Sequence, residues 1–121
     1  MITGIGNDII EIDRIKSAID RHRDRFLDKL FTKKEQEYCH NHRDYARNFA
    51  GRFAAKEAIA KALGSGFGKK LQWLDIEIVN NADGKPEVHL APDTAASFGN
   101  PSIHLSISHC KDYAAAFAIC V

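Results

Sequence analysis

The stretch from Arg43 to Leu63 is the strongest constraint on what this chain can fold into: it is rich in alanine, lacks proline, and is followed by Gly64, Gly66 and Gly68. Alanine has the highest intrinsic helix propensity, and glycine readily takes the conformation at which helices stop, so the stretch is predicted to be a long helix with a defined end. At about 1.5 Å per residue such a helix reaches roughly 30 Å, the width of a small domain. The chain is 121 residues long. That length leaves room for a single domain over residues 1–121, and the remaining elements must be laid against the helix.

Met1–Ile12 alternates with a period of two, placing Ile2, Asp8, Ile10 and Ile12 on one face, and is predicted to be a strand. From Asp13 to Lys29 the spacing becomes helical, with Ile15, Ala18, Ile19, His22 and Phe26 at three- and four-residue steps and room for a break near Asp24. Thr32 and Glu35 have the spacing of a capping box, so a short helix is predicted to begin there and to end near Cys39. Trp73–Val79 and Glu87–Leu90 flank a turn at Asp83 and Gly84 and read as a hairpin. Pro92–Phe98 reads as a short helix opened by proline. Ile103–His109 and Tyr113–Cys120 form a second hairpin. The predicted order is β-α-α-α-β-β-α-β-β, and strands grouped after helices indicate an α+β fold with helices packed on an antiparallel sheet.

Composition narrows the function classes. With 45% hydrophobic and 27% charged residues the chain lies far from the disordered class. Its longest apolar run, Tyr113–Val121, is well short of the roughly 20 residues of a membrane span, and no basic segment followed by an apolar run opens the sequence. Cys39, Cys110 and Cys120 are scattered and form no CxxC, which fits reduced thiols. A cytoplasmic protein without a membrane partner is expected. A net charge of +1 argues against a dedicated nucleic-acid binder. The segment from Arg14 to Lys34 nevertheless holds eight bases against three acids, so one surface is basic and would steer an acidic partner toward it.

Two carboxylates stand out. On the long helix, Glu57 falls roughly 40° from Phe53, inside the apolar stripe that Phe49, Ala60 and Ala46 share with it. Asp8 shares its strand face with isoleucines. An unpaired carboxylate in an apolar stripe is costly. The plainer alternative is that Glu57 pairs with Lys61, four residues on. Two inward carboxylates on separate elements instead call for a shared cation, and hard oxygen donors without a histidine or cysteine cluster favour Mg²⁺, a metal associated with phosphates. Lys56, Lys61, the run Gly64–Gly68, Lys69 and Lys70 follow Glu57 and could present positive charge and backbone amides to phosphates, although the glycines also serve as a simple helix stop. His109 ends the strand Leu105–Ser108. Arg14, Arg21 and Arg25 fall within roughly 40° of one another on a continuous helix.

Gly4–Ile15, Gly51–Gly64 with the core Lys56-Glu57-Ala58, and Leu105–His109 followed by Tyr113–Ala116 resemble, in this order, the holo-acyl-carrier-protein synthases, the small-subunit class of 4′-phosphopantetheinyl transferases. The resemblance runs from Met1 essentially to Val121. It implies transfer of 4′-phosphopantetheine from coenzyme A to a serine of apo acyl carrier protein, with release of adenosine 3′,5′-bisphosphate, in fatty acid biosynthesis. It further implies Asp8 and Glu57 as ligands of Mg²⁺, for which Mn²⁺ can substitute. Glu57, Lys61 and His109 would be the catalytic residues, and Asp8, Arg47, Arg52, Glu57, Lys61, Gly64 and His109 would contact coenzyme A. The base is either Glu57 or a metal-bound water. Arg14, Arg21 and Arg25 would dock the carrier protein, and the chain would form a homotrimer with shared active sites. The competing readings are a ligand-sensing α+β module and an RNA-binding domain. The latter lacks aromatic residues interleaved with bases on strands.

Overall fold

In the computed structural model, which describes residues 1–121, β1 (Gly4–Glu11) runs without a loop into α1 (Ile12–His22). Then follow α2 (Asp24–Leu30), α3 (Lys33–His40), α4 (Tyr45–Leu63), β2 (Ile76–Asn80), β3 (Pro86–Leu90), α5 (Pro92–Ser97), β4 (Ile103–His109) and β5 (Tyr113–Cys120). The α+β class is as expected. Strands β1, β5 and β4 form one antiparallel sheet with β5 in the middle, while β2 and β3 form a separate two-stranded sheet.

The predicted order is one helix short. Asp13–Lys29 is not one helix, because Arg23 takes φ 48° and ψ −126° and separates α1 from α2. Between Ile19 and Phe26 every residue is polar, so nothing anchors a continued helix to the core. The turn at Arg23 re-aims the chain so that Leu27 and Leu30 are buried. A second difference is local. Trp73–Asp75 forms a single 3₁₀ turn ahead of β2, held by the Gln72 N–H donating to the Asp75 carboxylate at 2.9 Å.

The caps follow their residue types. Thr32 and Glu35 form the reciprocal capping box at the start of α3, and the Asp44 carboxylate accepts the Arg47 N–H at the start of α4. Gly64 ends α4 at φ 85°, its N–H donating to the carbonyls of Ala60 and Lys61.

Twelve of the nineteen residues of α4 are buried, and they lie on nearly every side of it, Arg52 and Lys56 included. Its second half packs with Leu71, Ile76, Ile78, Leu105 and Ala118, and its first half with α1, α2 and α3 through Phe49 and Ala50. Against the sheet the contact is backbone on backbone: a Cβ on Gly4 would overlap the Ala62 carbonyl, and one on Gly6 would overlap the Ala58 carbonyl and sit 2.7 Å from the Ala62 nitrogen. The other face of the sheet is bare, with Ile5, Ile9, Tyr113 and Phe117 exposed.

Gly6→Ala should therefore force α4 off β1 and lower the melting temperature by roughly 10 °C, an overpacking cost of about 1 to 3 kcal/mol. Gly68→Ala, where an added Cβ meets nothing within 4 Å, is the matched control and should melt as the parent does. Equal melting temperatures for the two variants would contradict this packing.

Candidate active site

The close approach of β1 and α4 determines which side chains meet. Gly4, Gly6 and Asp8 share one side of β1, so where the glycines admit the helix, Asp8 faces its flank beside Glu57 and Lys61. The Lys61 ammonium donates to the Asn7 carbonyl at 2.9 Å and to Asp8 Oδ1 at 3.2 Å. Glu57 makes neither an ion pair nor a side-chain hydrogen bond, so the alternative of a Glu57–Lys61 pair is not realised: the lysine crosses to the strand instead. Nor is Glu57 enclosed in an apolar stripe. It is half-buried, at the rim of a helix that is covered on most sides.

Burial, and after it the Asp8 charge, raises the Glu57 carboxyl above the usual range, with Lys61 partly opposing the shift. The two neighbouring carboxylates are joined by no third acid, histidine or cysteine. A partly desolvated carboxylate without a donor, beside a second carboxylate, fits Mg²⁺, which characteristically takes one or two protein carboxylates and fills its other positions with water or phosphate oxygens. The adjoining surface is a groove of about 480 Å³ lined by Asn7, Asp8, Lys61, Ser106, Ser108 and Phe117.

A second, basic cluster lies where the first half of α4 meets β4 and the β2–β3 hairpin. Arg52 is 4% exposed. Its guanidinium stacks 4.2 Å above the Tyr38 ring and donates to Asn80 Oδ1 at 2.5 Å, while its Nε has no partner. His109 packs on Gly51 so tightly that a Cβ there would stand 3.0 Å from Nε2. Burial first, then the charges of Arg47 and Arg52, push its pKa below the ordinary histidine value against the pull of Asp44. A neutral imidazole with one N–H to donate results at neutral pH. Arg47 is half-exposed, 3.7 Å from Asp44. Arg52, His109, Asn80, Tyr38, Gly51 and Pro86 line a cavity of about 160 Å³, whose fixed cation suits an anionic group.

Several expectations change. Lys56 is not available to phosphate, because it is fully buried and ion-paired with Glu35 at 2.8 Å. The Gly64 amide is spent on the helix cap, leaving only its Cα and carbonyl for a ligand. Arg14 and Arg21 do line one shallow surface with Asp13, Ser17 and His22, but Arg25 lies on α2, beyond the break, so the three do not form a single helical stripe. Tyr38, Asn80 and Glu35 were missed. Nothing in the local sequence marks Tyr38 and Asn80, and that around Glu35 shows only its capping role, since their partners Arg52, Lys56 and Ile78 lie 14 to 43 residues away in the chain.

Comparison with known proteins places this geometry. A family model described as the 4′-phosphopantetheinyl transferase superfamily matches residues 4–118. The holo-[acyl-carrier-protein] synthase of Protochlamydia amoebophila is 54% identical over 119 residues, covering 98% of each chain. That of Clostridium novyi is 52% identical over 122 residues, covering 98% of this chain and 87% of the relative. Among solved structures, the Helicobacter pylori holo-[acyl-carrier-protein] synthase in complex with coenzyme A superposes with a TM-score of 0.90 at 35% identity, covering 97% of this chain and 99% of the other. The Neisseria meningitidis enzyme gives 0.92 at 32% identity over 100% and 99% of the two chains.

The raised Glu57 pKa has a stability consequence with a definite sign. A group with a raised folded pKa contributes most below its unfolded value, and that contribution is lost as pH rises through the folded one. Metal-free Glu57→Gln should therefore melt about 1 to 3 °C above the parent at pH 7. The gain should vanish at pH 4. A difference that is the same at both values would show that Glu57 does not titrate as described.

Proposed function

Because this chain belongs to the 4′-phosphopantetheinyl transferase superfamily, we propose that its two charged clusters divide the handling of coenzyme A between them. The reaction is transfer of 4′-phosphopantetheine from coenzyme A to a serine of apo acyl carrier protein, leaving adenosine 3′,5′-bisphosphate. In this reading residues 1–121 form one transferase domain. The observation that carries it is the meeting of Asp8, Glu57 and Lys61 across the glycine contact of β1 and α4.

Asp8 and Glu57 would hold Mg²⁺, or Mn²⁺ in its place, which when bound supplies Lewis-acid neutralisation of pyrophosphate charge. Lys61 is half-exposed beside them and turns a further positive charge toward the same phosphates. His109, neutral at working pH, donates its N–H to a phosphate oxygen without adding a proton to be lost later in the cycle. Arg52 and Arg47 take the 3′-phosphate. Buried and held flat on Tyr38, the Arg52 guanidinium loses little freedom on binding an anion. The Gly64 Cα bounds the site past Lys61. The carrier serine must give up a proton as it attacks, and Glu57, the member of the pair with no donor of its own and a raised pKa, is placed to accept it.

Arg14 and Arg21 on α1, with Arg25 at the start of α2, supply exposed charge for the acidic carrier protein. The bare face of the three-stranded sheet, with Ile5, Ile9, Tyr113 and Phe117, supports assembly into a trimer that shares its active sites. Three free thiols support a cytoplasmic location, and no helix is long and apolar enough to cross a membrane.

Intact-mass measurement of apo carrier protein incubated with coenzyme A and Mg²⁺ tests the assignment. Asp8→Ala and Glu57→Ala should each remove the phosphopantetheine mass increase by at least 100-fold in rate while melting cooperatively. Full turnover by either in chelated buffer contradicts the metal pair. Sedimentation of the parent protein should give the trimer mass.

Docking is separable from chemistry. Arg14→Glu with Arg21→Glu should raise the carrier's Michaelis constant about tenfold and flatten its salt dependence, leaving coenzyme A affinity within twofold. The reverse pattern would make this face a cofactor surface.

A further inference from the structure

Outside both clusters, the most unusual chemistry in the molecule is an ammonium and a carboxylate with no exposed surface. Lys56 Nζ donates to Glu35 Oε1 and to the Leu30 carbonyl, each at 2.8 Å, and to the Trp73 carbonyl at 3.2 Å. That accounts for all three ammonium protons. Glu35 also accepts the Thr32 N–H at Oε1 and the Ile78 N–H at Oε2, both at 2.8 Å. One contact thus joins α4 to the end of α2, the start of α3, the Trp73 turn and β2. Stability does not require charges there, since a buried ion pair can often be replaced by apolar residues of similar size at no loss.

The rest of α4 indicates what the pair does. Against β1 the helix presents mostly backbone to Gly4 and Gly6, with the Lys61 Cβ the one side-chain atom among the nearest, a contact with little side-chain relief to set its rotation. Lys56 lies roughly 160° around the helix from Ala58, on the far side, where its directional bonds can set that rotation. Glu57 is the next residue. Arg52 is one turn earlier on the same side, and Ile78 stands two residues before Asn80, the acceptor for Arg52.

We infer that the buried Lys56–Glu35 pair is the positioning device of this site: it fixes the rotation of α4 and the placement of β2, so that Glu57 meets Asp8 and Arg52 meets Asn80 together. A helix turned by about 20° swings a side-chain end by about 2 Å. Metal and phosphate sites tolerate errors of only about 0.5 Å. The inference rests on the roles assigned above to Asp8, Glu57 and Arg52.

The test is Lys56→Met combined with Glu35→Leu, which removes both charges at similar volume. Mn²⁺ binding is read by electron paramagnetic resonance without substrate, and coenzyme A binding by calorimetry. A cooperative melt should persist while both dissociation constants rise about tenfold. The carrier's Michaelis constant should change less than either dissociation constant, because Arg14 and Arg21 lie on α1, which takes no part in the pair. Glu35→Gln keeps the shape of the side chain but only one of the two oxygens that accept from Thr32 and Ile78, so a cooperative melt is confirmed before the constants are read. This variant should move both constants in the same direction by about threefold. A merely structural role would lower the melting temperature and the active fraction yet leave the constants of the folded protein unchanged. That outcome in either variant overturns the inference. Asp8→Ala, measured in parallel, separates the two readings: if it binds Mn²⁺ as the parent does, the metal assignment fails and not the positioning pair.

Discussion

What brings Asp8, Glu57 and Lys61 together is the contact of α4 with β1, which is almost backbone on backbone at Gly4 and Gly6. Gly4 and Gly6 act as spacers of zero thickness, and Ala58 and Ala62 answer them from the helix. Because side chains alternate along a strand, the same register that points the two glycines at the helix points Asp8 at its flank. Glu57 and Lys61 each precede one of those alanines by a single residue. The carboxylates and the lysine are therefore neighbours as a consequence of packing, and the packing is close because the residues are small.

The cost of the arrangement is visible in Glu57, which burial and the Asp8 charge both disfavour as an anion. Lys61 bonds to Asp8 and only partly offsets the shift at Glu57, so Glu57 has no ionic partner of its own. The basic cluster is built on the opposite logic. Arg52 is held by Asn80 and Tyr38 with one N–H kept unpaired, so its charge is fixed before any ligand binds. The first cluster carries an excess of negative charge and the second an excess of positive charge, along the same helix.

The local patterns were legible. The period of two in β1, the Thr32–Glu35 capping box and the strands Ile103–His109 and Tyr113–Cys120 follow from rules acting over a few residues, and the structure has them where those rules place them. Asp8 and Glu57 do lie side by side, although the reason for singling out Glu57 was partly mistaken: it was taken to face an apolar stripe, whereas α4 is covered almost all round and Glu57 sits at the rim. The hidden part is long-range and charged. Arg52 and Lys56 look like ordinary solvent-facing residues of a helix, and only Asn80, Tyr38 and Glu35, from distant segments, make their burial tolerable. The break at Arg23 falls one residue from the place near Asp24 that the sequence left open for it, where no apolar residue anchors the helix.

The direct passage of β1 into α1 makes a rigid gauge of the first two elements. Asp8 lies on the strand and Arg14 three residues into the helix, with no loop between Glu11 and Ile12 to absorb movement. The junction is held from the side by the Ile12 N–H donating to the Asp112 carbonyl at 2.9 Å. A carrier seated on α1 as proposed would therefore be held at one distance from Asp8, set by covalent geometry and not by the flexibility of a linker. Selection among carriers would then be a matter of length: only a partner whose serine stood at the right height above its acidic surface could reach across.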